Sequence, residues 1–303
     1  MHPALSVVFL TTLIGAGQGL FLVLFATELM HRSEDKYFYS IGAAIVLILC
    51  AAGLIASFFH LGRPERAWRA AAMWRTSWLS REVIALPAFM AAAFGYGAAH
   101  WFGSETTLLI GIIGATLSVV LFVCTGMIYA AIKVLREWAH PLTVINYLLL
   151  GCASGTTLST FYAALAAPDL AGSYALAAFL LTLLAFVTRS AAMLRNAKLA
   201  PATTMQSAIG IKHPRIVQKT QGAMGGSFNT REFFHGKSAC FIRNIRLTFL
   251  ILAFIIPPAL LLSESAAMFG LAFALQYLGL LAERWYFFAD ARHPQNLYYQ
   301  TVS

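Results

Sequence analysis

The stretch LSVVFLTTLIGAGQGLFLVLFATELM, residues 5–30, decides the fold class of this chain. It is long enough to cross the roughly 30 Å of hydrocarbon in a bilayer, for which a helix needs about 20 apolar residues. Its charged residue, Glu28, lies near its end. No basic segment precedes the stretch, which is also longer than the apolar core of a cleaved signal peptide. We therefore expect it to remain as the first membrane helix.

Seven more apolar runs follow this one. They extend approximately over Phe38 to His60, Glu82 to Trp101, Thr106 to Ile132, Leu142 to Ala167, Ser173 to Leu194, Leu247 to Ser263 and Ala266 to Phe288. Hydrophobic residues make up 59% of the chain and charged residues 11%, which is far more apolar than a soluble domain. The sequence predicts an all-α polytopic membrane protein, a bundle of about eight transmembrane helices in one domain over residues 1–303. Pro257 and Pro258 make the seventh run the least regular, because proline removes backbone donors.

The basic residues are divided unequally between the two sides of the predicted bundle. With eight spans, both termini and the even-numbered connections share one side, which holds all the Lys and Arg residues except Arg32 and Lys36. Lys and Arg concentrate in the cytoplasmic loops of membrane proteins. We therefore expect both termini in the cytoplasm, and we assign the net charge of +9 to membrane orientation rather than to nucleic-acid binding.

The connection between the sixth and seventh runs, residues 195–246, is the longest in the chain and is rich in Gly, Lys and Arg. Loops of this length are usually functional or disordered. Its glycines do not form a phosphate-binding fingerprint, because no GK[ST] motif closes them. We interpret it as a cytoplasmic loop that docks a partner protein through the basic residues Arg215, Lys219, Arg231 and Lys237.

The cysteines and histidines do not predict a metal centre in this chain. Cys50, Cys124 and Cys152 lie in apolar runs, and no CxxC or Cys/His cluster has metal-ligand spacing. A b-type haem needs two facing histidines, and His60 with His140 is the plausible pair. Since no two histidines lie at matched depth in the bilayer interior, we expect neither a haem nor a metal ligand here.

Polar groups concentrate in HLGRPERAWRAAAMWRTSWLSREV, residues 60–83, between the second and third runs. A quinone needs an apolar slot, hydrogen-bond donors for two carbonyls and groups that exchange two protons. His60 and Glu82 can exchange protons, and Arg63 or Arg66 can donate hydrogen bonds. The alternative is that the arginines and tryptophans are ordinary anchors at the membrane interface.

Several polar residues elsewhere in the chain are weaker candidates. Tyr129, and Glu283 with Arg284, could line the same pocket as His60, or could be an interfacial phenol and a structural ion pair. Gln18 and Gln276 lie inside apolar runs, and we expect them to form hydrogen bonds between helices.

The segment from His60 to Val83 resembles the membrane anchor subunits of the DMSO reductase family, the DmsC type. That family has a His-Leu-Gly, a proline, an arginine six residues after the histidine and a Ser-x-Glu, which are here His60, Leu61, Gly62, Pro64, Arg66, Ser80 and Glu82. The resemblance implies a subunit of the bacterial inner membrane that exchanges electrons between quinone and an iron-sulfur subunit. That partner would be connected to a molybdopterin catalytic subunit, so the iron-sulfur clusters and the molybdenum cofactor would lie in the partners and no catalytic residue in this chain. It also implies that His60, Arg66 and Glu82 bind the quinone and that Gly62 is a close-packing position.

Two further stretches, GGSFNTREFFHGK and ERWYFFADARHPQNLYYQ, resemble the membrane subunit of cytoplasmic sulfite dehydrogenases, the SoeC type. Together with the predicted topology, they favour an anchor that passes electrons from sulfite oxidation to ubiquinone or menaquinone. Two alternatives stay open: a quinol-oxidising anchor of a DMSO reductase-type enzyme, and a membrane transporter. Few charges deep in the membrane and no internal repeats weigh against the transporter.

Overall fold

The structure, a computed structural model, describes residues 2–30, 35–200, 203–217, 219–220 and 234–294. Within these ranges the chain forms helices and no strand, and eight of the helices are long and apolar enough to cross a membrane. The predicted all-α bundle is therefore confirmed. The spanning helices are α1 (Leu5–Leu29), α2 (Lys36–Phe58), α3 (Trp78–Phe102), α4 (Thr107–Ala130), α5 (Pro141–Ala166), α6 (Pro168–Ala197), α8 (Ala239–Leu261) and α9 (Ala266–Asp290); a 3-10 helix (Pro64–Met73) and the short helix α7 (Met205–Ile209) lie in connections.

Successive spans alternate in direction, so the bundle has two chemically different ends. The N-terminus and the connections α2–α3, α4–α5 and α6–α8 lie at one end, which we call the basic end. Side-chain contacts fit this arrangement: His100 near the end of α3 meets Glu28 near the end of α1. The first turns of α1, α3 and α5 and the last turns of α6 and α9 thus lie at the basic end.

Helix α3 begins one turn earlier than the sequence predicts. Its first residue is Trp78 rather than Glu82, because Ser77 caps the helix by accepting a hydrogen bond from the Ser80 N–H at 3.3 Å. A serine in this position satisfies one of the free N–H groups of the first turn. Glu82 therefore lies one turn inside the helix instead of opening it.

Helix α2 ends at Phe58, two residues before its predicted end. The backbone N–H of His60 still bonds to the Ser57 carbonyl at 3.2 Å. His60 itself belongs to the turn that leads into the 3-10 helix, so it lies beyond α2 rather than at its inner end.

Helix α8 begins at Ala239, well before the predicted start at Leu247. Ser238 caps it by accepting a hydrogen bond from a backbone N–H of its first turn at 3.3 Å. As a consequence, Arg243 and Arg246 belong to the helix, and the connection after α6 is shorter than the predicted loop over residues 195–246.

The two prolines bend α8 without breaking it. A π-helical turn, Ile251–Ile255, precedes Pro257. In a regular helix the Pro257 nitrogen would face the Ala253 carbonyl, but it carries no hydrogen to donate. The Gln276 side chain of α9 lies within 3.5 Å of that carbonyl and donates to it. The neighbouring helix thus replaces part of the lost backbone pairing, as helices in a membrane require.

Helices α1 and α5 are the most buried of the described spans and form the centre of the bundle. They approach most closely at glycines. Gly15 faces Gly151, and one turn further along Gly19 faces Gly155, where a Cβ on either residue would overlap the other helix's backbone. Small residues allow this contact between helices, which in a membrane depends on packing rather than on hydrophobic exclusion.

We predict that Gly155→Ala destabilises the protein, because the added Cβ must push α1 away from α5. Overpacking of this kind costs about 1–3 kcal/mol. The matched control is Gly172→Ala in α6, where a Cβ would meet no described atom within 4 Å. Thermal unfolding of the detergent-solubilised protein measures both. Equal melting temperatures for the two variants would contradict the close α1–α5 contact.

Candidate functional site

The carboxyl group of Glu82 lies inside the bundle, between α3 and α4. The Thr125 hydroxyl of α4 donates a hydrogen bond to Glu82 Oε1 at 2.5 Å. Ionisable residues in membrane-spanning segments are costly, and for that reason they usually serve a function. Glu82 is therefore the starting point for the candidate site.

A narrow cleft, which we call the Glu82 cleft, lies beside this carboxyl group between α1, α3, α4 and α5. Binding sites for small organic molecules usually combine apolar walls with a few placed polar groups. Apolar walls come from residues such as Leu10, Ile14 and Phe122. The polar or small residues that line it are Thr11, Gly15, Gln18, Glu82, Thr125 and Tyr147. The cleft therefore offers a ligand a carboxyl group and several hydrogen-bonding groups on an apolar wall.

His60 lies at the basic end, exposed, in the turn after α2. Its Nδ1 is 3.1 Å from the Ser6 hydroxyl in the first turn of α1. Partial desolvation lowers the pKa of the imidazole below its ordinary value near 6.5. His60 is therefore neutral at pH 7 and can accept a proton from water at the basic end or pass one on.

Arg63 and Arg66 lie in the same exposed connection as His60. Arg66 makes an ion pair with Glu65, at 3.9 Å between Nε and Oε1, with both side chains about half exposed or more. Such exposed pairs contribute little stability. No hydrogen bond or ion pair within the described residues joins His60 or either arginine to Glu82. The structure thus divides the predicted residues between a buried cleft and an exposed segment at the same end of the bundle.

Most of the chain matches a known protein family. The family of the DMSO reductase anchor subunit (DmsC) matches residues 1–282. The chain belongs to this family. The predicted resemblance is confirmed, and the chain is a membrane anchor subunit of an oxidoreductase.

A curated relative supports the same assignment over the full length of this anchor subunit. The C subunit of sulfite dehydrogenase from Allochromatium vinosum is 53% identical over 325 aligned positions, which cover the whole of both chains. An anchor subunit implies catalytic and electron-transfer subunits beside it. The anchor is therefore one part of a larger complex.

The packing of the described residues gives no support to Gly62 as a close-packing position, which stays a prediction. Gly62 is exposed, and a Cβ at this position would meet no described atom within 4 Å. The reason is its location in the open turn between α2 and the 3-10 helix. No described helix packs against Gly62.

Tyr129, predicted as a site residue, lies behind the Glu82 cleft in an aromatic cluster at the basic end. It stacks on Tyr147, with ring centroids 5.5 Å apart and planes 10° apart, and Tyr147 lines the cleft. Trp138, Phe287 and Phe288 surround the Tyr129 ring edge-on. Tyr129 thus supports a wall of the cleft, and its direct contact with a ligand stays a prediction.

The residues predicted to dock a partner lie at the surface where they are described. Arg215, Lys219 and Lys237 are exposed, and the Lys237 ammonium lies 5.5 Å from the centre of the Phe241 ring. Arg231 lies outside the described residues. Docking through these side chains stays a prediction.

His140, the second histidine of the pair considered for haem, has a structural role at the start of α5. Its Nδ1 accepts a hydrogen bond from the Leu142 N–H at 3.2 Å and so caps the helix. The expectation that no haem is bound stays a prediction.

Reasoning from sequence missed three side chains of the cleft: Thr11, Thr125 and Tyr147. Each lies within an apolar run, and only the packing of α1, α4 and α5 shows that they face Glu82. By contrast, the interhelical role of the two glutamines is confirmed. Gln18 donates to the Ser118 carbonyl at 2.7 Å, and Gln276 donates to the Thr182 hydroxyl at 3.0 Å.

Proposed function

We propose that this anchor subunit binds a quinone with its head group in the Glu82 cleft and passes electrons to it from an iron-sulfur partner subunit. The observation that carries the proposal is the carboxyl group of Glu82, held by Thr125 at the edge of an apolar cleft within the membrane-spanning bundle. The quinone is either ubiquinone or menaquinone. The apolar walls suit its ring and tail, and the polar groups suit its carbonyls.

The residues of the chain can account for the proton transfers of this reaction. A quinone becomes a quinol by taking up two electrons, from the iron-sulfur subunit, and two protons. Glu82 delivers each proton to the head group and is reprotonated from water at the basic end. His60, neutral at pH 7 and exposed at that end, mediates this reprotonation as an acid-base group. The exposed Arg63 and Arg66 can donate hydrogen bonds to a head group at the entrance.

The electrons come, in this proposal, from the oxidation of sulfite to sulfate by a molybdopterin catalytic subunit. Sulfite and water give sulfate, two protons and two electrons, which balances the reduction of one quinone. Support comes from the relative, which is named as the C subunit of a sulfite dehydrogenase. The reverse direction, in which quinol is oxidised for a DMSO reductase-type enzyme, is favoured only by the description of the family.

The charge distribution supports an orientation with the basic end toward the cytoplasm of a bacterium. Nearly all Lys and Arg residues lie in the termini, the connections or the adjoining helix ends on that side, in agreement with the positive-inside rule. Both termini, the His60 connection and the loop after α6 would then face the cytoplasm. The iron-sulfur subunit docks there, on exposed basic residues that include Arg215 and Lys219.

We predict that His60→Ala and Glu82→Gln each reduce quinone-coupled turnover of the complex by about 100-fold, the usual loss when an acid-base group is removed. Electron transfer from the catalytic subunit to a soluble dye should stay within about twofold of wild type, because the dye bypasses the membrane site. The matched control is Glu105→Gln, which changes an exposed carboxylate in the α3–α4 connection. Wild-type quinone turnover in both site variants would overturn the site assignment.

We predict that reporter fusions detect both ends of the bundle. A fluorescent protein fused after Ser303 should fluoresce, because it remains in the cytoplasm. Alkaline phosphatase fused after Glu105 should be active, because the α3–α4 connection lies on the opposite side. A phosphatase that is active at Ser303 and inactive at Glu105 would reverse the proposed orientation.

A further inference from the structure

A second group of charged residues lies buried inside the bundle near the basic end. Glu283 of α9 meets Arg189 of α6 at 2.6 Å between Oε1 and Nε, and meets its neighbour Arg284 at 3.1 Å between Oε2 and Nε. All three side chains are at most 5% exposed. This buried charge cluster connects α6 with α9 at the depth of the aromatic cluster around Tyr129.

The charges within this cluster do not cancel. It contains two guanidinium groups and one carboxylate, and within the described residues no other carboxylate lies within 4 Å of either arginine. Removing one partner of a buried ion pair is costly, and so is an excess charge away from water. Part of the compensation is aromatic: the Arg284 guanidinium lies 3.8 Å from the centre of the Tyr147 ring. The remaining positive charge is available to an electron-rich ligand.

Arg284 lines a second cleft, which lies beside the Glu82 cleft. This Arg284 cleft is lined by residues that include Thr11, Thr12, Ser154, Tyr147 and Arg284. It shares Thr11, Gly15 and Tyr147 with the Glu82 cleft. The two clefts are therefore neighbours, with Glu82 lining one and Arg284 lining the other.

Tyr147 lines both clefts. Its hydroxyl group has hydrogen-bonding capacity that is not filled. Only 5% of the residue is exposed. The hydroxyl lies near Arg284 and Tyr129 but forms no well-aligned hydrogen bond with any described residue. A buried hydroxyl group without a well-aligned partner can hydrogen-bond to a ligand or a water.

We propose that Arg284 and Tyr147 bind the second carbonyl of the quinone head group, opposite the carbonyl at Glu82. This inference rests on the proposed function and assigns the other half of the same site. The guanidinium and the phenol donate hydrogen bonds to that carbonyl oxygen. The positive charge also stabilises the negative charge that the oxygen gains as electrons arrive. Arg284 keeps its own protons, so the proton balance of the reaction is unchanged.

Glu283 and Arg189 hold the Arg284 guanidinium in this arrangement. The ion pair limits the rotamers of Arg284 and keeps it against the Tyr147 ring. A binding group is effective when neighbouring contacts fix its geometry in this way. The paired charges thus explain why an arginine is buried here although most arginines of the chain lie at the surface.

The test uses the complete complex in membranes, with its own substrate as electron donor and decylubiquinone or menadione as acceptor. We expect Arg284→Gln to raise the quinone KM about tenfold or more, since a charged hydrogen bond is lost. Tyr147→Phe, which keeps the ring beneath the guanidinium and removes only the hydroxyl, should raise it several-fold. Dye-linked turnover should stay within about twofold of wild type in both variants. The control Lys36→Gln removes one exposed positive charge at the opposite end of the bundle and should leave the KM unchanged.

The outcomes separate this inference from the proposed function. If the wild-type complex transfers no electrons to either quinone, the proposed function itself is wrong. If the wild type does so and both variants keep the wild-type quinone KM, the assignment of Arg284 and Tyr147 is overturned while the proposed function stands. If Arg284→Gln fails to assemble, as judged by lost dye-linked turnover, Tyr147→Phe alone decides: a raised KM supports the inference, and an unchanged one overturns it.

Discussion

The backbone contact between α1 and α5 at Gly19 and Gly155 is the feature on which the site geometry depends. The helices touch where neither residue has a side chain. Two turns toward the basic end the facing residues are Thr11 and Tyr147, and a cleft replaces the contact. The cleft therefore exists because α1 and α5 pack closely at their glycines but carry larger, polar side chains nearer the basic end.

The cost of charge in a membrane explains how the remaining residues are divided. Two exposed arginines between α2 and α3 lie against tryptophan rings: Arg69 is 5.5 Å from the centre of the Trp68 ring, and Arg75 is 5.4 Å from that of Trp74. They are interfacial side chains with access to water. Glu82 and Arg284 instead lie inside the bundle, where each is held by a neighbour, Thr125 or Glu283. Such groups are kept at a cost in stability. The proposed quinone, with its two hydrogen-bonding oxygens, would account for both.

The sequence was sufficient for the architecture and for part of the site. Eight apolar runs predicted eight spans because a bilayer demands length and apolarity, properties that each segment carries by itself. Local reasoning misplaced the start of α8, because Arg243 and Arg246 were assigned to the loop, whereas Ser238 caps the helix before them. It also assigned Gly62 to a packing contact that no described residue forms. Tyr147 was missed because its relevance depends on Arg284, which is distant in sequence.

The measurement that tests the central claim most directly is photo-crosslinking of an azidoquinone to the intact complex, with the labelled peptides identified by mass spectrometry. The account predicts labels on the basic-end halves of α1, α3 and α5. The labelled residues should line the Glu82 cleft or the Arg284 cleft, as Thr11 and Tyr147 do. Excess unlabelled quinone should prevent these labels. Labels confined to α6 and α8, or to the end of the bundle near His100, would contradict the proposed site.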